Sequence, residues 1–241
     1  MNAIETQNLT KQYKDKLALN GLTLTIPHGE LFSLLGVNGA GKTTTIKLLS
    51  CLITPSSGSA SVYGHDITKD PQKVKAVLGT SPQETAIAPN LTVRENLEMM
   101  AGIYGADRKA AKERASQMIE KFHLTDVAEK RAKKLSGGWQ RRLSIAMALI
   151  CEPKLLFLDE PTLGLDVLAR RELWNVISEL KGQMTIILTT HYLEEAEALS
   201  DRIGILTNGQ LVQVGTSEEL IQAAKAKNFE DAFITLAGGN K

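Results

Sequence analysis

The segment Gly36-Val37-Asn38-Gly39-Ala40-Gly41-Lys42-Thr43 has the spacing G-x-x-x-x-G-K-[ST], and that spacing serves one kind of chemistry. Its glycines let the backbone curl until successive N–H groups point inward at phosphate oxygens. A helix beginning near Lys42 adds the positive end of its dipole. Lys42 would neutralise the β- and γ-phosphates of a nucleotide and the Thr43 hydroxyl would ligate Mg²⁺, with Thr44 following in the same helix start. A chance match arises in about one such chain in a hundred. Here a buried apolar run, Leu31 to Leu35, precedes the loop and a helical pattern follows it, which is the context a phosphate loop requires.

Leu155-Leu156-Phe157-Leu158-Asp159-Glu160 is an apolar run that ends in two acids. In an open α/β sheet ligands sit beyond the carboxyl ends of the strands, so both acids would emerge at the phosphate site. Asp159 suits the Mg²⁺ shell, and Glu160, further toward the γ-phosphate, would accept a proton from attacking water. A second anion-binding element lies in Leu135-Ser136-Gly137-Gly138-Trp139-Gln140-Arg141-Arg142. Ser136 reads as the N-cap of a helix through Ile150, and Gly137 and Gly138 expose backbone N–H groups at its positive end. On its own this tetrapeptide would be a helix start with a glycine lead-in. Since the first loop already cradles a nucleotide, the second is free to meet a phosphate on another molecule.

A phosphate loop, Leu-Ser-Gly-Gly, an apolar strand ending Asp-Glu-Pro, Gly-Leu-Asp and an isolated histidine, in that order, resemble the ATP-binding cassette (ABC) ATPases over nearly the whole chain. The resemblance implies ATP and Mg²⁺ as ligands, and ATP hydrolysis as the activity. It places Tyr13 where an aromatic stacks on adenine. It makes Gln83, in Ser81-Pro82-Gln83-Glu84, the glutamine that touches Mg²⁺ and the attacking water and links to a membrane partner. Asp166, in Leu163-Gly164-Leu165-Asp166, matches a loop that crosses between two cassettes, and His191, after Thr189-Thr190, matches the histidine that contacts the γ-phosphate. Family members work as head-to-tail dimers, with Ser136 and Gly138 of one subunit closing on ATP held by the other. Two departures stand out: Trp139 replaces the common glutamine, and the aspartate loop reads Gly-Leu-Asp rather than Ala-Leu-Asp. Thr190-His191-Tyr192-Leu193-Glu194-Glu195-Ala196-Glu197 and the tail Phe229-Glu230-Asp231-Ala232-Phe233 look most like single-cassette subunits of bacterial drug-resistance-type exporters.

The elements that must position these residues are readable in outline. Leu17 to Ile26 alternates apolar and polar residues as a half-buried strand does, and Pro27-His28-Gly29 signals a turn. A helix is expected from Lys42 to about Leu52, stopped by Thr54-Pro55. Ala111, Ala115, Met118 and Phe122 line one face of a helix expected over 107–123. Leu155–Leu158 and Thr185–Leu188, separated by a helical pattern with Leu173, Ile177 and Leu180, argue parallel strands covered by helices. Asn208-Gly209 marks a hairpin turn, and Thr216-Ser217-Glu218-Glu219 a capping box. The fold class is α/β. The family resemblance refines it to a phosphate-loop core with a parallel sheet at about 1–90 and 153–215, including an N-terminal antiparallel β subdomain. A helical signature subdomain at about 91–152 and a helical tail at 216–241 complete a single domain over 1–241.

Composition bounds what such a site can serve. With 241 residues, 43% of them hydrophobic, 23% charged and a net charge of +1, the chain has the make-up of a globular protein with a core. Near-zero net charge gives no general attraction to nucleic acid, and none is expected as a partner. No apolar run is long enough to span a bilayer and the first residues are polar, so a cytoplasmic protein with reduced Cys51 and Cys151 is expected. A transport role then needs a separate transmembrane permease subunit and a second cassette, expected to be an identical copy. The chain would sit peripherally on the cytoplasmic face of the cell membrane through that permease. A soluble cassette ATPase acting on ribosomes or DNA is the alternative, although no second cassette, coiled-coil or zinc insertion is present. A nucleotide-binding kinase or switch would leave the Leu-Ser-Gly-Gly helix start and His191 without a task.

Overall fold

A computed structural model describes residues 2–238; residue 1 and residues 239–241, the last of the tail expected at 216–241, lie outside the described residues. The chain opens with an antiparallel hairpin, β1 (Asn2–Tyr13) and β2 (Lys16–Pro27), so the expected strand at 17–26 runs on through Pro27. β3 (Leu31–Leu35) leads through the phosphate loop to α1 (Lys42–Leu49). There follow β4 (Ser57–Val62), β5 (His65–Asp66), α2 (Pro71–Ala76) and β6 (Leu78–Ser81). A helical stretch holds α3 (Val93–Ile103), α4 (Arg108–Lys121) and α5 (Gly137–Leu149). The last part alternates β7 (Leu155–Asp159), α6 (Val167–Leu180), β8 (Thr185–Thr190), α7 (Leu193–Leu199) and β9 (Arg202–Thr207). It ends with β10 (Gln210–Gly215), α8 (Ser217–Ala224) and α9 (Phe229–Gly238).

Two sheets result. A four-stranded antiparallel sheet has the order β2-β1-β4-β5, and a six-stranded sheet the order β10-β9-β3-β8-β7-β6. In the larger sheet β9, β3, β8, β7 and β6 are parallel, and only β10 turns back, through Asn208 and Gly209, both at positive φ as the sequence signal requires. Alternation along the central strands feeds two cores at once. Leu155 and Phe157 of β7 join the apolar cluster shared with the antiparallel sheet and α1, while Leu156 and Leu158 join the cluster under α3 to α6. A strand buried on both faces reads as a continuous apolar run, which is why the run at 155–158 carries no alternation of its own.

Side-chain caps explain several helix starts. Asp107 caps α4 by accepting from Ala110 N at 2.8 Å, and Thr216 with Glu219 forms the capping box that starts α8. A capping box of the same kind, Thr92 with Glu95, opens α3. The expectation for α1 needs correcting. It ends at Leu49, three residues early, because the Ser50 hydroxyl bonds back to Ile46 O at 2.7 Å and Cys51 takes a left-handed conformation before Thr54-Pro55 is reached.

One close backbone approach in this framework joins β6 to α5. A Cβ placed on Gly79 would stand 2.2 Å from the Ala148 carbonyl oxygen, so only glycine lets the helix lie this near the strand. Gly79→Ala is therefore expected to lower stability by about 1–3 kcal/mol, the usual cost of forcing atoms into a packed interior. Thermal unfolding of the variant beside the parent chain measures it.

Candidate active site

α1 begins at Gly41, with φ 111°, and no side chain caps it. No acidic residue stands in its first turn either, so its first N–H groups are left for an external acceptor such as a phosphate. They open on a cavity of about 380 Å³ lined by residues 38–44 of the phosphate loop together with Lys16, Ala18, Gln83, Glu160, Leu163 and His191. Strand ends supply most of this wall, because β3, β7 and β8 are neighbours and parallel and their carboxyl ends all point the same way.

Two buried charges dominate the cavity. Lys42, 4% exposed, donates from Nζ to Gly36 O at 2.7 Å and Val37 O at 3.3 Å, and pairs with Glu160 Oε1 at 3.1 Å. The other oxygen, Glu160 Oε2, lies 3.0 Å from His191 Nδ1. A charge buried this deeply is tolerated only when paired, so the glutamate is held between two basic groups in one orientation. Its backbone helps to aim it. Glu160 sits at φ 47°, uncommon for a residue with a side chain, and its N–H donates to both Thr189 O and Thr189 Oγ1, at 3.0 and 3.1 Å.

Thr189 is a residue that sequence reading passed over. Its hydroxyl accepts from Glu160 N and donates to Asp159 Oδ1, fixing both acids from the neighbouring strand. The signal was present in the sequence but needed the register, since Asp159 and Thr189 are direct partners across β7 and β8. Asp159 also accepts from the Thr43 hydroxyl at 3.3 Å. A hydroxyl, a carboxylate and the nearby Gln83 are hard oxygen donors, which fit Mg²⁺. Among the described residues no group of three or more His, Cys, Asp or Glu could hold a metal alone. A cation held by one carboxylate, one hydroxyl and the oxygens of bound phosphates needs no such group.

The remaining expected residues fall outside this cavity. Tyr13 is exposed at the end of β1, paired across the hairpin with Lys16, whose side chain does line the wall. Ser136 takes the N-cap position of α5, yet its hydroxyl makes no capping hydrogen bond. Gly137 and Gly138 open that helix and pack beside Leu165 and Ala169, so the two glycines and the Leu163–Asp166 loop form one ridge. Asp166 accepts from Ala169 N at 2.9 Å and caps α6. Val167 and Leu168 beyond it are exposed apolar residues. Trp139, the departure from the common glutamine, has a use within the chain. Its ring lies 4.8 Å from the Arg142 guanidinium, which pairs with Glu172 and ties α5 to α6.

A further layer lies behind His191. The Tyr192 ring stands 4.2 Å from the His191 ring, and Arg170 lies 4.7 Å over Tyr192. Glu195 is fully buried beneath them; its Oε1 accepts from Thr162 Oγ1 at 2.8 Å and Trp174 Nε1 at 3.1 Å, while Oε2 has no partner. Burial pushes the Glu195 carboxyl above the ordinary glutamate range, opposed by its hydrogen bonds and by Arg170.

Residues 19–163 match the protein family described as ABC transporter. The chain is 42% identical over 219 residues to the daunorubicin/doxorubicin resistance ATP-binding protein DrrA of Streptomyces peucetius, which covers 90% of this chain and 66% of that protein's own length. The chain thus spans just under two thirds of that relative. Among solved structures, the ATP-binding subunit of an ABC transporter superposes with a TM-score of 0.85 at 29% identity, covering 97% of this chain and 99% of that one. A dimeric ATP-binding cassette in a post-hydrolysis state, bound to ADP and Pi, gives 0.80 at 26% identity, covering 88% and 98%.

The Glu195 environment yields a pH-dependent expectation. With the folded-state value raised above the unfolded one, the carboxyl costs nothing where both states are protonated. The cost appears as pH rises from the ordinary glutamate range through the raised value. Glu195→Gln keeps an accepting oxygen for Thr162 and Trp174 without the buried charge. It is expected to unfold at a higher temperature than the parent near neutral pH and above, with the gap closing below about pH 4.3, the unperturbed glutamate value. Thermal unfolding across that pH series checks it, and a gap that widens toward acid would refute the assignment.

Proposed function

The chain belongs to the ABC transporter family and is an ATP hydrolase of that family, and from this premise we propose that it drives a separate membrane-spanning chain as the motor of an exporter. The observation that carries the hydrolytic reading is the Glu160 carboxylate, held between Lys42 and His191 at the mouth of an uncapped helix. ATP enters with its phosphates against residues 38–44, where backbone N–H groups and Lys42 meet their charge. As the phosphates offer Lys42 new acceptors, Glu160 Oε1 is released while His191 still holds Oε2. The freed oxygen takes the proton from water as that water's oxygen bonds to the γ-phosphorus. The bond from that phosphorus to the β,γ-bridging oxygen breaks, and ADP leaves with the electron pair. Thr43 and Asp159, with Gln83 beside them, would hold Mg²⁺, which when bound neutralises charge on the phosphates. Tyr13 would meet the base at the outer edge of the site.

Ser136, Gly137, Gly138 and Asp166 have no place in this chain's own cavity, and the free Ser136 hydroxyl at a helix N-terminus suits a phosphate on a second copy. A head-to-tail pair puts each signature segment over the other's ATP, with the ridge around Asp166 between them. The dimeric cassette bound to ADP and Pi supports this arrangement. In this reading the helical stretch at about 91–152 is a unit distinct from the core at about 1–90 and 153–215, and the described part of the tail from 216 packs on that core through Phe229. Among the described residues no helix is long and apolar enough to cross a membrane; in this reading a permease supplies the pathway and the cassette meets it on the cytoplasmic face. The resistance protein named above supports an exporter of the drug-resistance type.

Glu160→Gln keeps the shape of the side chain and removes the proton acceptor. Its hydrolysis is expected to fall about 100-fold or more. Light scattering should show its solution mass doubling on addition of ATP, because the closed pair no longer resets. A tight ATP binder that stays monomeric would defeat the two-copy site. Ser136→Arg is expected to bind ATP nearly as the parent does while turnover disappears, since the serine acts across the pair; unchanged turnover would place Ser136 outside the reaction.

A further inference from the structure

Gln83 reaches the cavity from an irregular loop; Asn96 holds the far part of that loop at Ala88 and Leu91, and Arg141 holds the part that carries Gln83. Arg141, 5% exposed on α5, donates from Nη1 to Pro82 O and from Nη2 to Gln83 O, each at 2.6 Å. A guanidinium presents two parallel donors in a rigid fork, and here both are spent on consecutive carbonyls of one loop. Arg141 is also the end of a regular seam. Ala148 meets Gly79 at a close helix-to-strand approach, Ser144 Oγ lies 2.9 Å from Ser81 Oγ, and Arg141 takes Pro82 and Gln83. Positions 141, 144 and 148 share one helix face, so moving outward along β6 is moving back along α5 toward the turn that begins at Ser136.

Burial pulls the guanidinium below the ordinary arginine value, and the facing charges of Asp159 and Glu195 pull it back. A buried cation bound to neutral carbonyls costs stability unless charge lies nearby, so this placement favours one geometry over a mere surface contact.

We propose that Arg141 is a positioning residue for hydrolysis: it holds Gln83 at the cavity by the loop's backbone and locks that loop to the first turn of α5, so that Gln83 and the Ser136–Gly138 segment keep one relative position. Closure of a second cassette on the signature segment then acts on Gln83 directly, through one helix and one side chain. This rests on the reading of Gln83 as a group at the Mg²⁺ and attacking-water position of the site.

The test is a double-mutant cycle on ATPase kinetics in the full chain with Arg141→Lys and Gln83→Ala. Lysine keeps the charge but lacks the fork. Arg141→Lys is expected to lower kcat about tenfold, the scale of losing a charge-assisted hydrogen bond, and to leave KM for ATP within about twofold because the phosphate loop is untouched. In the Gln83→Ala background the same change should lower kcat no further. An equal loss in both backgrounds, or no loss in either, overturns the proposal and makes Arg141 a packing residue. A Gln83→Ala chain with parental kcat overturns the Gln83 reading itself, a separate outcome of the same cycle. If Arg141→Lys unfolds below the assay temperature, Arg141→Gln, which keeps an amide donor without the buried charge, takes its place with the same two outcomes.

Discussion

The buried pairing of Lys42 with Glu160 is the constraint around which the rest of this structure is arranged. An ammonium and a carboxylate, both nearly inaccessible, cannot be left apart in a packed interior. Each therefore dictates where its own element ends. Lys42 must sit at the first turn of α1, beside the carbonyls of Gly36 and Val37, and Glu160 must turn out of β7 in a left-handed conformation. That turn is affordable because Thr189, one strand over, takes the Glu160 N–H with two acceptors. The sheet order β3-β8-β7 is thus the order the charge pair needs: phosphate loop after one strand, acids at the end of another, and between them a strand that ends in Thr189 and Thr190 with His191 just beyond.

Around this centre the molecule divides its polar work between two distances. Near the cavity, hydrogen bonds orient the two acids: Thr189 on Asp159, His191 on Glu160. Further out, buried charge joins elements that would otherwise pack only by apolar contact. Arg141 links α5 to the loop after β6, Arg142 links α5 to α6, and Glu195 gathers Thr162 and Trp174 beneath α7. Apolar packing has no directional preference, whereas a bidentate guanidinium fixes an angle as well as a distance. For the proposed closure on a second copy, angle is the useful quantity, and α5 carries both arginines.

Local signals in the sequence were accurate wherever a short stretch of chain contained the whole physical cause. The capping box at Thr216 and the Asn208-Gly209 turn are such cases, as is the wholly buried strand before the phosphate loop. The helix after Lys42 was read too long because Thr54-Pro55 is an obvious stop, while a serine bonding back to its own helix is a weaker one that acts sooner. Arg141 stands in the sequence only as one of two charges after a glycine-rich helix start. Nothing local distinguishes it, since its partners are carbonyls 58 and 59 residues away.

The sequence by itself determined the chemistry: glycines that permit a phosphate cradle, an apolar strand ending in two acids, and a second helix start rich in free N–H groups. These follow from backbone freedom and period, which are properties of neighbouring residues. Tertiary structure alone decided which groups are brought together. Long-range strand register set Thr189 beside Asp159, the depth of burial forced Lys42 onto Glu160, and the close approach of Gly79 to Ala148 laid α5 along β6 so that Arg141 could reach the Gln83 loop. Register, depth and approach depend on residues far apart in the chain, and no local stretch of sequence contains them.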